Sequence, residues 1–137
     1  MTGRPDGDET FQVTVHQAVG GDEFFVELVE RFYAGVADEP LLRPMYPDDL
    51  TEPKRHLAGF LIQFWGGSQA YSEERGHPRL RMRHVPFTIG PAERDAWYRN
   101  MIRSLNSLVD ERDILPEAEK AMRDYFSMSA EAMRNTD

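Results

Sequence analysis

Residues 77–87 decide which fold this chain is predicted to adopt, and they read His77-Pro78-Arg79-Leu80-Arg81-Met82-Arg83-His84-Val85-Pro86-Phe87. Pro78 is tolerated in the first turn of a helix, and Pro86 ends a helix because the residue before a proline is pushed out of the α region. The stretch therefore predicts a short helix from Pro78 that has His84 in its last turn. An imidazole held there can offer a ring-nitrogen lone pair to a metal.

Length and composition limit the class of protein. The chain has 137 residues, 40% of them hydrophobic, which suits one domain with a buried core. It has no cysteine, so disulfides, thiolate metal ligands and thioether-linked cofactors are excluded. No apolar run reaches membrane-spanning length, and the net charge of −8 argues against general nucleic-acid binding. Residues 1–10 lack the apolar core of a signal peptide, so we expect a disordered leader, a single domain over 11–137 and a cytoplasmic location.

Apolar residues recur at helical spacing through most of the chain. Helices are predicted from this spacing at 11–19, 23–37, 51–65, 91–108 and 116–133. Asp22 and Thr51 are the predicted N-caps of the second and third of these helices. Gly20-Gly21, the proline-rich residues 40–49 and Gly66-Gly67 separate helices, and residues 68–76 are predicted to form a polar loop. No segment alternates at period two, so the fold class is all-α, with four substantial helices in two antiparallel pairs.

Several aromatic positions complete the pattern that surrounds His84. They are Phe32-Tyr33, Tyr46, Trp65-Gly66-Gly67 and Trp97. With residues 77–87, they make the chain resemble the truncated haemoglobins, and most closely group II, which has a tryptophan in the distal pocket. The resemblance covers about residues 19–134. It implies a globin-like two-over-two helical sandwich and non-covalent binding of haem b.

Four histidines are candidate metal ligands. His16 lies on a weak N-terminal helix, and His56 points about 100° away from Leu57, along the edge of any site there. His77 and His84 lie roughly 10 Å apart on a helix, so we do not expect them to share one metal. No H-x-x-x-H or cysteine pattern indicates a zinc site. By the resemblance, His84 is the proximal ligand of the haem iron.

The resemblance also assigns residues to the distal side and to the rest of the haem pocket. Tyr33, Tyr46 and Trp97 are the expected hydrogen-bond donors to a bound ligand, although each residue by itself also fits a packed core. The polar groups of a buried triad are costly unless they form hydrogen bonds with one another. We therefore expect hydrogen bonds that involve Tyr46 and either a ligand or Trp97. Arg83 is the main candidate for a haem propionate, with His77 and Lys54 as weaker ones. The full set of expected haem-pocket residues is Phe32, Lys54, Leu57, Phe60, Leu61, His77, Leu80, Met82, Arg83, Phe87 and Met101.

Three functions follow as alternatives. The first is a haem protein that reversibly binds O₂ and other diatomic ligands, with no catalytic side chain. The second is a haem redox enzyme that removes peroxide or nitric oxide with an external reductase. The third is a haem-free helical interaction module. The resemblance further implies a homodimer as the assembly to test.

Overall fold

The computed structural model describes residues 13–137, and these residues form an all-helical fold. The predicted leader and the start of the first predicted helix lie outside the described residues. The α-helices are α1 Val15–Ala18, α2 Asp22–Ala37, α3 Thr51–Phe64, α4 Ala70–Arg75, α5 Leu80–His84, α6 Pro91–Glu111 and α7 Pro116–Met133. A short 3₁₀ turn, Arg43–Met45, lies in the proline-rich segment between α2 and α3. No β-strand occurs within residues 13–137, so the predicted fold class is confirmed.

The centre of the fold is α2, because apolar residues cover most of its surface. It packs on α3 and on α6, and α6 packs in turn on α7. Seven of its side chains are buried, and all of them are apolar or aromatic: Phe24, Phe25, Leu28, Val29, Phe32, Tyr33 and Val36. Full burial of one such side chain stabilises a fold by about 1.5–3 kcal/mol. The apolar stripe predicted for α2 is therefore the surface that joins α3 on one side to α6 on the other.

Helix starts differ from the predictions by a residue or two. Neither Asp22 nor Thr51 is an N-cap: each is the first residue of its helix, after Gly21 and Leu50. Gly21 has φ +97°, a conformation that glycine adopts without steric cost. The Thr51 amide donates to the carboxylate of Asp49, at 2.9 Å, so a side chain outside the helix satisfies this amide.

The segment between α3 and α5 contains the largest departures. Residues 68–76 were predicted to be a loop, but they contain α4. A tertiary contact stabilises it, since the Gln63 side chain accepts from the Ser72 amide, at 2.9 Å, and donates to the Ser72 hydroxyl, at 2.7 Å. Likewise α5 begins at Leu80 and not at Pro78, because Arg79 has φ +47° in the left-handed region.

Two further boundaries can be compared. Pro91 is the first residue of α6, as predicted, and the helix continues to Glu111, past Leu108, the last residue of the predicted apolar stripe. The last helix has its predicted limits. In the described part of the chain, no helix combines the length and apolar character needed to cross a membrane.

Two helical glycines differ in what surrounds them. A Cβ on Gly35 of α2 would collide with the side chains of Asn100 and Arg103 on α6. Asn100 is buried and its amide donates to the carbonyl of Ala96, so it cannot move without losing this hydrogen bond. A Cβ on Gly59 of α3 would meet nothing closer than the Tyr71 Cβ, at 3.8 Å.

Gly35→Ala and Gly59→Ala should therefore change stability in opposite directions. We expect Gly35→Ala to lower the free energy of unfolding by about 1–3 kcal/mol through overpacking. Gly59→Ala should raise it by about 0.5–1 kcal/mol, because alanine is the better helix former. Urea unfolding followed by circular dichroism measures both. Equal effects of the same sign would contradict the close approach of α2 and α6 at Gly35.

Candidate functional site

An apolar cavity of about 390 Å³ lies among α3, α5, α6 and α7. This volume is within the range of ligand-binding cavities in proteins. Ten of the predicted site residues line it, and they come from five parts of the chain: Tyr33, Tyr46, Leu57, Phe60, Leu61, Leu80, Arg83, His84, Phe87 and Trp97. The fold thus brings residues that are far apart in sequence to one surface.

His84 is held by its own helix. Its Nδ1 lies 2.6 Å from the carbonyl oxygen of Leu80, one turn earlier in α5. A carbonyl oxygen can only accept, so Nδ1 carries the hydrogen, and Nε2 is the nitrogen with a free lone pair. This arrangement fixes the tautomer and the orientation of a metal-ligating histidine. The half-buried ring is therefore prepared to bind a metal in the cavity.

Asn135, which the sequence analysis did not identify, fixes the segment between His84 and α6. Its side-chain amide donates to the carbonyls of Phe87, at 2.8 Å, and His84, at 3.4 Å. Its side-chain oxygen accepts from the Ile89 amide at 2.9 Å, and its own amide donates to the Ile89 carbonyl at 2.8 Å. The chain after α7 thereby supplies hydrogen-bond partners for the backbone at the end of α5 and between α5 and α6. No periodic pattern signals such a residue, because it acts outside any helix.

Tyr33 and Tyr46 form a pair at the cavity wall. Their rings meet edge to face, with centroids 5.4 Å apart. Burial raises the pKa of Tyr33 far above its ordinary value, and the neighbouring Tyr46 hydroxyl adds to this. Burial also raises the pKa of Tyr46, to about 12, although the Tyr33 hydroxyl opposes the shift. Both hydroxyls are therefore neutral near pH 7 and able to donate hydrogen bonds.

Trp97 is wedged between aromatic rings of two other helices. Its ring centroid lies 5.6 Å from that of Phe32 on α2 and 6.2 Å from that of Phe126 on α7. Such edge contacts fix the indole plane. The hydrogen bond expected between Tyr46 and Trp97 is not found among residues 13–137: Tyr46 lies against Tyr33, while Trp97 is held by packing and lines the cavity.

Three arginines line the cavity, and two of them, Arg75 and Arg83, differ in how their donors are used. Arg83 Nε donates to the carbonyl of Pro78, at 2.7 Å, and Nη2 donates to that of Arg75, at 3.2 Å. Arg75 was not among the predicted residues, yet its Nε is buried without a hydrogen-bond partner in the described structure. Buried polar groups in proteins are nearly always paired. Arg75 therefore offers a free donor for an anionic group in the cavity.

His56 lies beside Arg75, as the edge position predicted for it requires. An Nη of Arg75 is 2.7 Å from His56 Nδ1. Burial lowers the pKa of His56, and the nearby charges of Arg75 and Arg55 lower it further. This histidine is consequently neutral at pH 7, and the positive charge at this edge belongs to the arginines.

Five predicted pocket residues do not line the cavity. Phe32 and Met101 are fully buried in the core behind it. Lys54 forms an ion pair with Glu30, at 3.1 Å. His77 is exposed, and Met82 has 64% of its surface exposed because it projects from the opposite side of the five-residue α5.

The cavity wall formed by α7 was also missed. Its residues share one face of the helix: Tyr125, Phe126, Ser129, Ala130 and Met133. The spacing of three and four between them was visible as part of an amphipathic stripe. Periodicity shows that a face is covered, but it does not show whether protein or a ligand covers it.

These features can be tested against the haem that the resemblance implies. An apolar wall suits the tetrapyrrole, the Nε2 of His84 suits the iron, and the unpartnered Nε of Arg75 suits a propionate. Among residues 13–137, no three histidine, aspartate or glutamate side chains converge to hold a metal ion by themselves. The residues present therefore fit haem.

Comparisons with known proteins agree with this geometry. A family model described as "Bacterial-like globin" matches residues 14–135. The haemoglobin of Chloroflexus aurantiacus is 45% identical and has a TM-score of 0.86, with 91% of this chain and all of that chain covered. A truncated oxygen-avid haemoglobin of Bacillus subtilis is 36% identical with a TM-score of 0.82, covering 90% of this chain and 100% of its own.

A curated relative gives a shorter match. The group 2 truncated haemoglobin of Bacillus subtilis (strain 168) is 51% identical over 77 residues, which are 56% of this chain and 58% of the relative. The chain thus spans about three fifths of the length of that curated relative. The family model and the structural matches nevertheless extend over nearly all of the described residues. By these matches and by its all-helical architecture, the chain belongs to the group II truncated haemoglobins, within the bacterial-like globins.

Proposed function

We propose that this protein binds haem b non-covalently and uses it to bind O₂ and other diatomic ligands reversibly. His84 is the iron ligand in this proposal. The observation that carries it is the 2.6 Å contact from His84 Nδ1 to the Leu80 carbonyl, which leaves Nε2 free in an apolar cavity. The absence of cysteine from the sequence excludes the thioether links of c-type haem.

Each part of the cavity has a defined task in this proposal. A bound haem would supply an iron atom able to bind a diatomic ligand. Leu57, Phe60 and Leu61 of α3 exclude water from the cavity. Tyr33, Tyr46 and Trp97 supply hydroxyl and indole donors, which stabilise negative charge on a ligand.

The donor set favours a ligand that accumulates negative charge, and O₂ is such a ligand. Tyr33 and Tyr46 remain protonated at neutral pH because burial raises the pKa of each. The Bacillus subtilis relative with the same fold is described as oxygen-avid, which supports O₂ as the first ligand to test. Removal of peroxide or nitric oxide would use the same cavity. Catalytic consumption of either compound, with a reductant present, separates that alternative from binding.

His84→Gly is the experiment that tests the proposal. We expect the variant to lose haem, or to bind it weakly, with partial rescue by added imidazole, which can occupy the space that the side chain leaves. The Soret spectrum of the ferrous protein, with and without imidazole, is the measurement. His77→Gly is the matched control, because His77 is exposed and does not line the cavity, and its ferrous spectrum should match that of the wild type. If His84→Gly kept the wild-type spectrum without imidazole, His84 would not be the ligand.

Arg75→Met should speed the loss of haem, since methionine keeps an apolar stem but removes the donor facing the cavity. We expect haem transfer to an apo-globin acceptor to be about fivefold faster, corresponding to about 1 kcal/mol. Lys54→Met is the matched control, because Lys54 pairs with Glu30 outside the cavity. Equal transfer rates in the two variants would remove Arg75 from the haem site.

Trp97→Phe should accelerate O₂ dissociation. The variant retains an aromatic ring between Phe32 and Phe126 but loses the N–H donor. A hydrogen bond to a charged group is worth about 1.5–3 kcal/mol, so a roughly ten- to hundredfold faster rate is expected. Stopped-flow dissociation of O₂ and CO decides the cause. CO carries less negative charge and should respond less, whereas equal acceleration of both gases would indicate a steric gate.

A further inference from the structure

The positive charges of this acidic chain are concentrated in one stretch. Residues 75–92 contain four arginines and two histidines and no aspartate or glutamate, although the whole chain has a net charge of −8. Most arginines elsewhere are paired with carboxylates, among them Arg31, Arg55, Arg94, Arg99, Arg112, Arg123 and Arg134. Arg79 and Arg81 are exposed and have no carboxylate within 4.0 Å among the described residues. Their charge is available to a partner.

Apolar side chains are exposed beside these arginines. Met82 is 64% exposed and Val85 is 71% exposed. Arginine and methionine are enriched at protein–protein interfaces. We name this surface the α5 face and define it by Arg79, Arg81, Met82 and Val85.

The α5 face belongs to the same short segment as His84. Five residues form α5, and His84 is the last of them. Arg79, just before the helix, is the only non-glycine residue of the described chain with a positive φ, +47°. Such a conformation is strained for a residue with a side chain and persists only where the surroundings fix it. The segment that carries the metal ligand thus also presents an unpaired basic and apolar surface to solvent.

We propose that the α5 face docks an acidic electron-transfer protein, which reduces the haem. The proposal rests on haem binding through His84, and it names the partner of that site. One electron leaves the partner's reduced centre and converts ferric to ferrous iron, with no proton or bond transferred. Reversible O₂ binding requires ferrous iron, so any oxidised protein must be reduced again.

Charge complementarity selects an acidic partner over a second copy of this chain. An isologous dimer through the α5 face would place Arg79 and Arg81 near their own copies, and like charges there oppose association. An acidic protein instead pairs with both arginines and covers the adjacent apolar side chains. Electron-transfer complexes have small interfaces, and a five-residue helix with its flanks offers a surface of that kind.

The test uses a reduced [2Fe–2S] ferredoxin, a small acidic electron carrier, as the probe. Ferric haem protein and reduced ferredoxin are mixed anaerobically in a stopped-flow instrument, and the Soret band reports reduction. Net charge alone predicts repulsion and a rate that rises with salt. The α5 face predicts attraction and a rate that falls with salt.

Charge reversal on the α5 face is the second part of the test. We expect Arg79→Glu/Arg81→Glu to lower the reduction rate at low salt by at least about tenfold. It should also abolish the binding of oxidised ferredoxin measured by titration calorimetry. Arg99→Glu/Lys120→Glu is the matched control, because it changes the net charge equally at exposed positions outside the α5 face. The rate at which dithionite reduces the ferric haem should be the same in the wild type and in both charge-reversal variants.

Failure of this proposal can be distinguished from failure of the haem assignment. If the purified protein bound no haem, the proposed function itself would fail. If haem bound normally but the rate at which ferredoxin reduces the haem rose with salt, the α5 face would not dock an electron donor. The same would follow if this rate were equal in both charge-reversal variants. Vesicles of phosphatidylglycerol test an anionic lipid surface as the partner. If Arg79→Glu/Arg81→Glu lost binding to these vesicles but still bound ferredoxin like the wild type, the proposal would be overturned in favour of the lipid surface.

Discussion

Burial of α2 on two sides is the constraint on which the rest of the structure depends. Its apolar residues extend around most of the helix, so one neighbour cannot cover them, and α3 and α6 are both needed. Close approach to α6 is possible because residue 35 has no side chain where Asn100 lies. Once α3 and α6 are placed, α7 packs on α6, and these helices with α5 surround the cavity.

The segment that bears His84 is ordered in a different way. α5 has five residues and none of them is fully buried; Leu80 packs half-buried against the core, so apolar burial by itself does not fix the orientation of the helix. Hydrogen bonds do: His84 Nδ1 uses the Leu80 carbonyl, Arg83 uses two carbonyls before the helix, and Asn135 uses the chain after it. A metal ligand that depends on hydrogen bonds can be oriented sharply while the helix remains at the surface. The same exposure leaves the α5 face open to a partner.

Electrostatics divide the cavity into two environments. The wall with Tyr33 and Tyr46 is buried, and its hydroxyls are neutral donors because burial opposes their ionisation. The edge with Arg75 and Arg83 is basic, and the pKa of His56 is lowered there. A ligand with an apolar body, a metal centre and carboxylates at one edge satisfies both environments at once, whereas a purely apolar ligand would leave the Arg75 Nε unpaired.

The sequence by itself determined the helices that apolar periodicity defines, because a stripe repeated over 14 or more residues has few alternative interpretations. It also indicated His84, Tyr33, Tyr46 and Trp97 through a resemblance carried by specific residue types, and all four line one cavity. Only the tertiary structure decided which neighbours of these residues reach that cavity. Lys54 and Met82 point elsewhere, and Arg75, Asn135 and the α7 wall enter the site, because their roles depend on contacts between distant segments. Periodicity describes one helix at a time, so it cannot report a hydrogen bond such as that from the Asn135 side-chain amide to the Phe87 carbonyl.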